Sequence, residues 1–258
     1  MKILDWNPQP LSVLSFRQAE SGGRVGTALL EITTGFIDDL PDALEGLIVT
    51  SDLQGIGFDG HLLGELAAQE VANLCEAGLL PPANKLGVLL CGDFYASPEL
   101  QRGVSGLVDA VWQAFQRRFR WVVGVSGNHD CFEQKPESLL HGLIAEKDDL
   151  KVGGLGGVLG ETGRGLQTSM REYERLLKNI MQQAPDILLL HAAPQLNEGG
   201  CLGDVALRHF LEKHRAPLTF CGHCHWPYPL QQLNAHTQIC NVDGRVLVLL
   251  KSNSRQFR

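Results

Sequence analysis

Five short clusters of polar residues carry side chains that bind metal ions in proteins, and each cluster follows an apolar segment. In chain order, the clusters are Ser51-Asp52-Leu53-Gln54-Gly55, Gly92-Asp93-Phe94-Tyr95, Gly127-Asn128-His129-Asp130, His191 and Gly222-His223-Cys224-His225. Carboxylate and amide oxygens mixed with imidazoles suit Mn, Fe, Zn or Ni better than an all-oxygen calcium or magnesium cage. The residue types therefore indicate a site for divalent Mn, Fe, Zn or Ni.

Each cluster taken alone has an ordinary explanation. A Gly-Asp pair is a common turn, and a single histidine such as His191 is more often a hydrogen-bonded core residue than a ligand. The combination is more specific, because all five clusters occur in one chain and each ends an apolar run. It favours one shared metal site over five unrelated turns.

The apolar segments that precede the clusters predict strands buried on both faces, because their apolar residues are continuous rather than alternating. These segments are residues 46–50, 86–91, 121–125, 187–190 and 218–221. Helical periodicity in residues 62–77, 104–119 and 169–183 separates them. Alternation of strand and helix predicts an α/β domain, in which ligands gather at the carboxyl ends of the strands.

The two ends of the chain carry hairpin-like patterns. Strand-like residues 11–16 and 27–34 flank Ser21-Gly22-Gly23, and residues 237–241 and 245–250 flank Asp243-Gly244. We interpret the chain as one domain over residues 1–258. Residues 1–43 would form an N-terminal β-hairpin extension, and residues 44–250 would form the catalytic core.

Composition limits the classes of partner and location. The 258 residues carry a formal net charge of −7, which argues against a protein that coats long nucleic acid. The sequence has no apolar run long enough for a membrane span and no signal peptide, and its seven cysteines are scattered. We therefore expect a cytoplasmic protein with reduced thiols that contacts no membrane.

The five clusters resemble the motifs of the calcineurin-like metallophosphoesterases. That family carries D-x-H, G-D, G-N-H-[DE], H and G-H-x-H in this order, and the chain matches all but the first in full over residues 44–250. The resemblance implies two mixed β-sheets packed as a sandwich and flanked by helices, rather than one parallel sheet. It also implies a phosphoric ester hydrolase with two divalent metals, manganese first and Fe, Zn, Ni or Mg as alternatives.

The resemblance implies a role for each matching residue. Asp93 would bridge both metals. The remaining ligands would divide into Asp52, Gln54 and His225 for the first metal and Asn128, His191 and His223 for the second. His129 would bind no metal but would stabilise charge in the transition state or protonate the leaving oxygen.

The implied reaction is hydrolysis by a hydroxide activated between two metals about 3.5–4 Å apart. The substrate would be a small phosphorylated molecule: a phosphodiester, a nucleotide diphosphate or a phosphomonoester. Asn128 and His129 would contact it, and Tyr95 at the rim of the site is a further substrate-binding candidate. The sequence predicts neither the substrate nor the oligomeric state. We expect specificity to come from loops at residues 132–147, 161–171 and 195–214.

Gln54 departs from the family motif, which has histidine at this position. An amide oxygen binds metal more weakly than imidazole and cannot act as a general acid. Gln54 either weakens the first metal position and shifts its preference to a harder ion such as Mn²⁺, or is a neutral variant. Family members that cleave nucleotide-type diphosphates also look like Asp-x-Gln here, which favours a small diester or pyrophosphate substrate.

Two other functions fit the same fold. A non-catalytic metal-binding scaffold would be expected to lose ligands or the motif histidine, but His129, His223 and His225 are all present. A nuclease would be expected to carry runs of basic residues that bind long nucleic acid. The negative net charge of this chain argues against a nuclease. A phosphoesterase acting on a small substrate remains the preferred hypothesis.

Overall fold

The computed structural model describes residues 1–160, 166–196 and 200–252. Parts of two segments expected to set specificity, residues 161–165 and 197–199, lie outside the described residues. Within the described residues, no helix has the length and apolar character needed to cross a membrane.

The elements follow in chain order. The strands are β1 Ile3–Ala19, β2 Val25–Ile37, β3 Gly46–Ser51, β4 Leu86–Leu90, β5 Gly106–Leu107, β6 Trp121–Gly124, β7 Asp130–Cys131, β8 Leu143–Lys147, β9 Leu150–Leu155, β10 Val158–Leu159, β11 Gln167–Thr168, β12 Ile187–Leu190, β13 Leu218–Cys221, β14 Leu230–Gln232, β15 Gln238–Asn241 and β16 Arg245–Lys251. The helices are α1 Leu63–Glu76, α2 Asp109–Gln116, α3 Met170–Met181 and α4 Val205–His214.

Two six-stranded sheets organise the molecule. The first has the order β1-β2-β16-β3-β4-β6, and the second has the order β14-β15-β13-β12-β9-β8. Each contains parallel and antiparallel pairs: β3 pairs parallel with β4 but antiparallel with β16, and β12 pairs parallel with β13 while β8 and β9 are antiparallel. The expected α/β fold with two mixed sheets is confirmed.

The core lies in three layers that follow from this arrangement. One cluster joins the facing sides of the two sheets, with Val49 and Leu89 from the first sheet and Leu189 and Phe220 from the second. A second cluster lies between the first sheet and helices α1 and α2, and a third lies between the second sheet and helices α3 and α4. Strands β3 and β4 are buried along their whole length, as their continuous apolar sequences predict.

Three details differ from the sequence-based expectations. The prediction of a hairpin around Asp243-Gly244 is wrong, because β15 pairs in the second sheet and β16 pairs between β2 and β3 of the first. The turn instead carries the chain from one sheet to the other. Local turn chemistry cannot distinguish these outcomes, since each flanking strand is apolar enough for either sheet.

The other two differences concern helix bounds. Residues 104–119 are helical only over Asp109–Gln116, because residues 106–107 pair as β5 with β7. Residues 195–214, expected to be a loop, contain helix α4. Its start is capped by Asp204, whose Oδ1 accepts a hydrogen bond of 2.8 Å from Leu207 N.

Candidate metal centre

The carboxyl ends of five strands from both sheets bring the polar clusters together. Loops after β3 and β4 are joined by a hydrogen bond of 2.8 Å from Asp52 N to Gly92 O, and the loop after β13 donates from Gly222 N to His191 O at 3.1 Å. Asp52, Asp93 and His223 adopt left-handed backbone conformations, with φ of 56°, 58° and 68°. Such conformations are uncommon outside glycine, and they concentrate at functional sites where the surrounding structure fixes them.

Three of the expected ligands form a compact group. The ligand atoms of Asp93, His191 and His223 all lie within 4.8 Å of one another. Asp93 and His191 are buried, and His223 is exposed. The group therefore lies at the floor of an opening, with one imidazole on the solvent side.

The His191 ring is oriented so that one nitrogen, Nε2, faces the group. Nδ1 lies 2.8 Å from the Cys91 carbonyl oxygen, which can only accept, so Nδ1 carries the hydrogen. Nε2 lies 3.1 Å from Asn128 Oδ1 and 3.4 Å from Asp93 Oδ2. Two oxygen acceptors thus face Nε2, and a proton on this nitrogen or a metal ion bound by the three atoms satisfies them, as expected of a metal site whose histidine is fixed from behind.

The pKa of His191 reflects the same concentration of negative charge. Burial alone would lower this pKa, but the carboxylates of Asp93 and Asp52 raise it to about 10. Burial also raises the pKa of Asp52 well above its usual range. The site therefore stabilises positive charge among these groups, which a proton or a metal ion can supply.

Asp52 and Gln54 lie next to the group. Asp52 Oδ2 accepts hydrogen bonds from Ser51 Oγ at 2.5 Å and from His223 N at 2.8 Å, which ties the first cluster to the fifth. Gln54 Nε2 donates to Asp93 Oδ2 at 3.4 Å. The opposite orientation of this amide would place Oε1 there, so Gln54 is within reach of the carboxylate expected to bridge the metals.

The chain is similar to proteins of a known family. The family model for calcineurin-like phosphoesterases matches residues 47–227. This match covers more than half of the chain. The chain belongs to the calcineurin-like phosphoesterase family. It is a metallophosphoesterase, a hydrolase of phosphoric esters, and members of this family generally use two divalent metals.

Three solved structures are similar to this calcineurin-like phosphoesterase. TT1561 of Thermus thermophilus superposes with a TM-score of 0.52 at 14% identity, covering 80% of this chain and 88% of that one. A 5'-nucleotidase from Candida albicans gives 0.44 at 13% identity, covering 80% of this chain and 46% of that one. Sulfate thiohydrolase SoxB from Thermus thermophilus gives 0.45 at 15% identity, covering 82% and 58%. Comparison with curated proteins gives no match.

His225 stands apart from the three-residue group of this phosphoesterase. Its side chain is 63% exposed, with Nδ1 3.2 Å from Asp243 Oδ1 and Nε2 3.2 Å from Arg245 Nη2. Arg245 can only donate, so Nε2 carries the lone pair and Nδ1 donates to Asp243. This is the form of the ring that binds metal through Nε2, but Arg245 holds that nitrogen. His225 lines the same cavity as Asp52, Gln54 and His223.

His129 and Tyr95 lie beside the group rather than in it. His129 N donates to Asp93 Oδ1 at 2.9 Å, and its Nδ1 lies 3.5 Å from Ser105 Oγ. Tyr95 lines the cavity, and its ring packs against the α-carbon face of Gly106, where any side chain would overlap it. The hydrogen bond from His129 N fixes the position of its α-carbon and so the point at which its side chain is attached. Ser105, which lies next to the ring, was not indicated by any sequence motif.

Asp130 is a structural residue of the site that sequence reasoning left without a role. Its carboxylate accepts three backbone hydrogen bonds of 2.8 Å, from Asp93 N, Phe94 N and Gly127 N. Burial, followed by the charge of Asp93, raises the pKa of Asp130 to about 6. The side chain thus joins the loops that carry the second and third clusters. Its place at the end of Gly127-Asn128-His129-Asp130 was the available signal.

Gly92 allows the same two loops to approach closely. Its φ is 92°, and a Cβ there would overlap the backbone of Gly127. Only glycine meets both conditions. The glycine before Asp93 is therefore required by the geometry of the site.

Replacement of Asp243 by alanine is expected to weaken one metal site. Asp243 Oδ1 lies 3.2 Å from Nδ1 of His225, which is one of the expected ligands. Loss of a carboxylate behind a metal-binding imidazole typically costs about 10- to 100-fold in metal affinity. Titration of metal-free protein with Mn²⁺, followed by the EPR signal of the free ion, measures both affinities. Asp243→Asn keeps an acceptor without the charge, so it should lie between the wild type and Asp243→Ala. Unchanged Mn²⁺ affinity in Asp243→Ala would show that Asp243 does not orient a ligand.

Proposed function

We propose that this chain hydrolyses a small phosphoester with two divalent metals, manganese first. The observation that carries the proposal is the position of buried His191 Nε2, which lies 3.1 Å from Asn128 Oδ1 and 3.4 Å from Asp93 Oδ2. The substrate is a phosphodiester, a nucleotide diphosphate or a phosphomonoester. When bound, the metals supply an activated water and positive charge for the phosphate oxygens.

The ligands would form two sets, one for each metal, and Asp93 would belong to both. Asn128, His191 and His223 hold the second metal, which the grouping of Asp93, His191 and His223 within 4.8 Å supports. Asp52, Gln54 and His225 hold the first. The hydrogen bond of 2.8 Å from His223 N to Asp52 Oδ2 supports a shared site, because it fixes the two sets side by side.

His129 acts on the substrate rather than on a metal. Its backbone N donates a hydrogen bond of 2.9 Å to Asp93 Oδ1. The side chain of His129 is therefore attached next to the carboxylate that would serve both metals. A ring placed there can donate a hydrogen bond to a phosphate oxygen or a proton to the leaving oxygen. Asn128 contacts the substrate from the metal centre, and Tyr95 contacts it from the rim.

The same proposal includes the domain organisation. Residues 1–43 extend one catalytic domain, since β2 pairs parallel with β16 and so continues the sheet that carries β3 and β4. The cytoplasmic location expected from the sequence stays a prediction, as does the absence of a long nucleic acid or membrane partner.

Metal removal tests the proposal. Treatment with a chelator should lower turnover of bis(p-nitrophenyl) phosphate and p-nitrophenyl phosphate by at least about 100-fold, and Mn²⁺ should restore it, because without the metals neither water activation nor charge neutralisation remains. The ratio of the two rates assigns diester or monoester preference. Elemental analysis after dialysis against Mn²⁺ gives the metal content. Protein that binds no metal would contradict the proposal, and protein that binds two but hydrolyses neither ester would support the scaffold.

A further inference from the structure

A cavity of about 540 Å³ opens directly beside the proposed metal centre. Asp52, Gln54, His223 and His225 of the proposed centre are among the residues that line it. A phosphate held at the centre would therefore have its attached organic group in this cavity. Small-molecule sites typically have volumes of about 300–1,000 Å³, so the space suits a compact organic group.

The N-terminal hairpin forms one wall of the cavity. The hairpin residues that line it are mostly apolar: Phe16, Ala19, Ala28, Leu29 and Leu30. The side chain of Leu29 is 64% exposed, so core packing does not account for it. Tyr95, Leu100 and Val104, from the segment after the second cluster, line the cavity as well. An apolar wall in a cavity that also carries polar lining groups suits a ring system with hydrogen-bonding groups at its edge.

The hairpin is fixed against the loop that carries Asp52. Arg17 and Ile56 exchange two backbone hydrogen bonds, of 2.9 and 3.0 Å. The Phe16 ring occupies the place where a side chain at residue 55 would extend, so Gly55 allows the close approach. Ser12 Oγ donates to Glu70 Oε1 of α1 at 2.6 Å. The wall is thus a built part of the site.

Among the described residues that line the cavity, Arg102 is the one lysine or arginine. Its Nε donates to Ala19 O at 3.4 Å, which joins its segment to the hairpin. Within the described part of the chain, no carboxylate lies within 4.0 Å of its guanidinium nitrogens. An arginine whose guanidinium has no carboxylate partner can stack on a ring or hydrogen-bond an acceptor of a ligand.

We propose that the hairpin wall and Arg102 form a specificity subsite for the organic group of the substrate, a compact ring system of about nucleoside size. Leu29 contacts the ring, and Arg102 stacks on it or donates to its acceptors. The inference deepens the proposed function and rests on it, because the phosphate must lie at the metal centre. It assigns a binding role to the hairpin, for which the sequence indicated no chemistry.

Two esters with the same leaving group test the subsite. Thymidine 5'-(p-nitrophenyl phosphate) and methyl p-nitrophenyl phosphate carry the same charge at phosphorus and differ only in nucleoside against methyl. The ratio of their kcat/KM values isolates the organic group. Wild type should favour the thymidine ester. Leu29→Asp and Arg102→Gln should each lower the ratio by about tenfold, because they remove apolar contact and the cation.

A matched control lies on the same strand. Val25 is 52% exposed and does not line the cavity, so Val25→Asp should leave the ratio unchanged. A ratio unaltered in both Leu29→Asp and Arg102→Gln, or lowered equally by Val25→Asp, would overturn the subsite.

Direct binding separates this inference from the proposed function. Calorimetry on Mn²⁺-loaded protein gives the affinities for thymidine 5'-monophosphate and for methyl phosphate. The subsite is supported if the wild type binds the thymidine compound more tightly than methyl phosphate and Leu29→Asp weakens that binding about tenfold. This conclusion holds even if neither ester is hydrolysed, and in that case only the proposed function fails. Equal affinities for the two compounds in the wild type would overturn the subsite whatever the turnover.

Discussion

Asp93→Asn is expected to abolish turnover, with a loss in kcat/KM on the order of a thousandfold or more. Asparagine has nearly the same shape and can still accept the hydrogen bond that His129 N donates to Asp93 Oδ1. What it removes is the negative charge that lies 3.4 Å from His191 Nε2 and that both metals would share. Steady-state kinetics with bis(p-nitrophenyl) phosphate, together with elemental analysis, measures both losses.

The control for this variant matches it in backbone conformation. Asp149 also has a left-handed conformation, with φ of 64° against 58° for Asp93, but it is exposed in the turn between β8 and β9. Asparagine tolerates such conformations, so Asp149→Asn should have wild-type activity and metal content. Full activity of Asp93→Asn would refute the proposed mechanism, because no other described carboxylate lies in the group with His191 and His223.

His129→Gln is expected to lower kcat by about 10²- to 10⁴-fold while metal content stays at the wild-type level. The substitution keeps the backbone contact to Asp93 and removes only the ring. Elemental analysis and kinetics on the same preparation separate the two effects. His209→Gln, on helix α4, is the matched control and should change neither quantity. Loss of metal in His129→Gln would place this residue among the ligands instead.

The leaving group distinguishes the two roles open to His129. A general acid matters most when the leaving oxygen is basic, so an alkyl ester should lose more activity than a p-nitrophenyl ester. Stabilisation of charge on the phosphate oxygens would lower both rates by similar factors. The ratio of the two losses therefore assigns the role.

Much of the fold could be predicted because its signals are local. The continuous apolar runs before Asp52 and Asp93 became the buried strands β3 and β4, since a strand covered on both faces needs no polar residue. The grouping of Asp93, His191 and His223 follows from where parallel strands end. Residues 195–214 were expected to be a loop, although Asp204, Leu207 and Leu211 carry the cap and the apolar stripe of helix α4.

The sequence alone determined which residues can bind metal, their order along the chain and hence the family, because side-chain chemistry and short motifs are local properties. Tertiary structure alone decided how β15 and β16 are distributed between the sheets and which groups hold His225. It also decided that the hairpin carrying Leu29 lines the cavity beside Asp52. These features depend on contacts between segments far apart in the chain, and such contacts form only when the two sheets pack together.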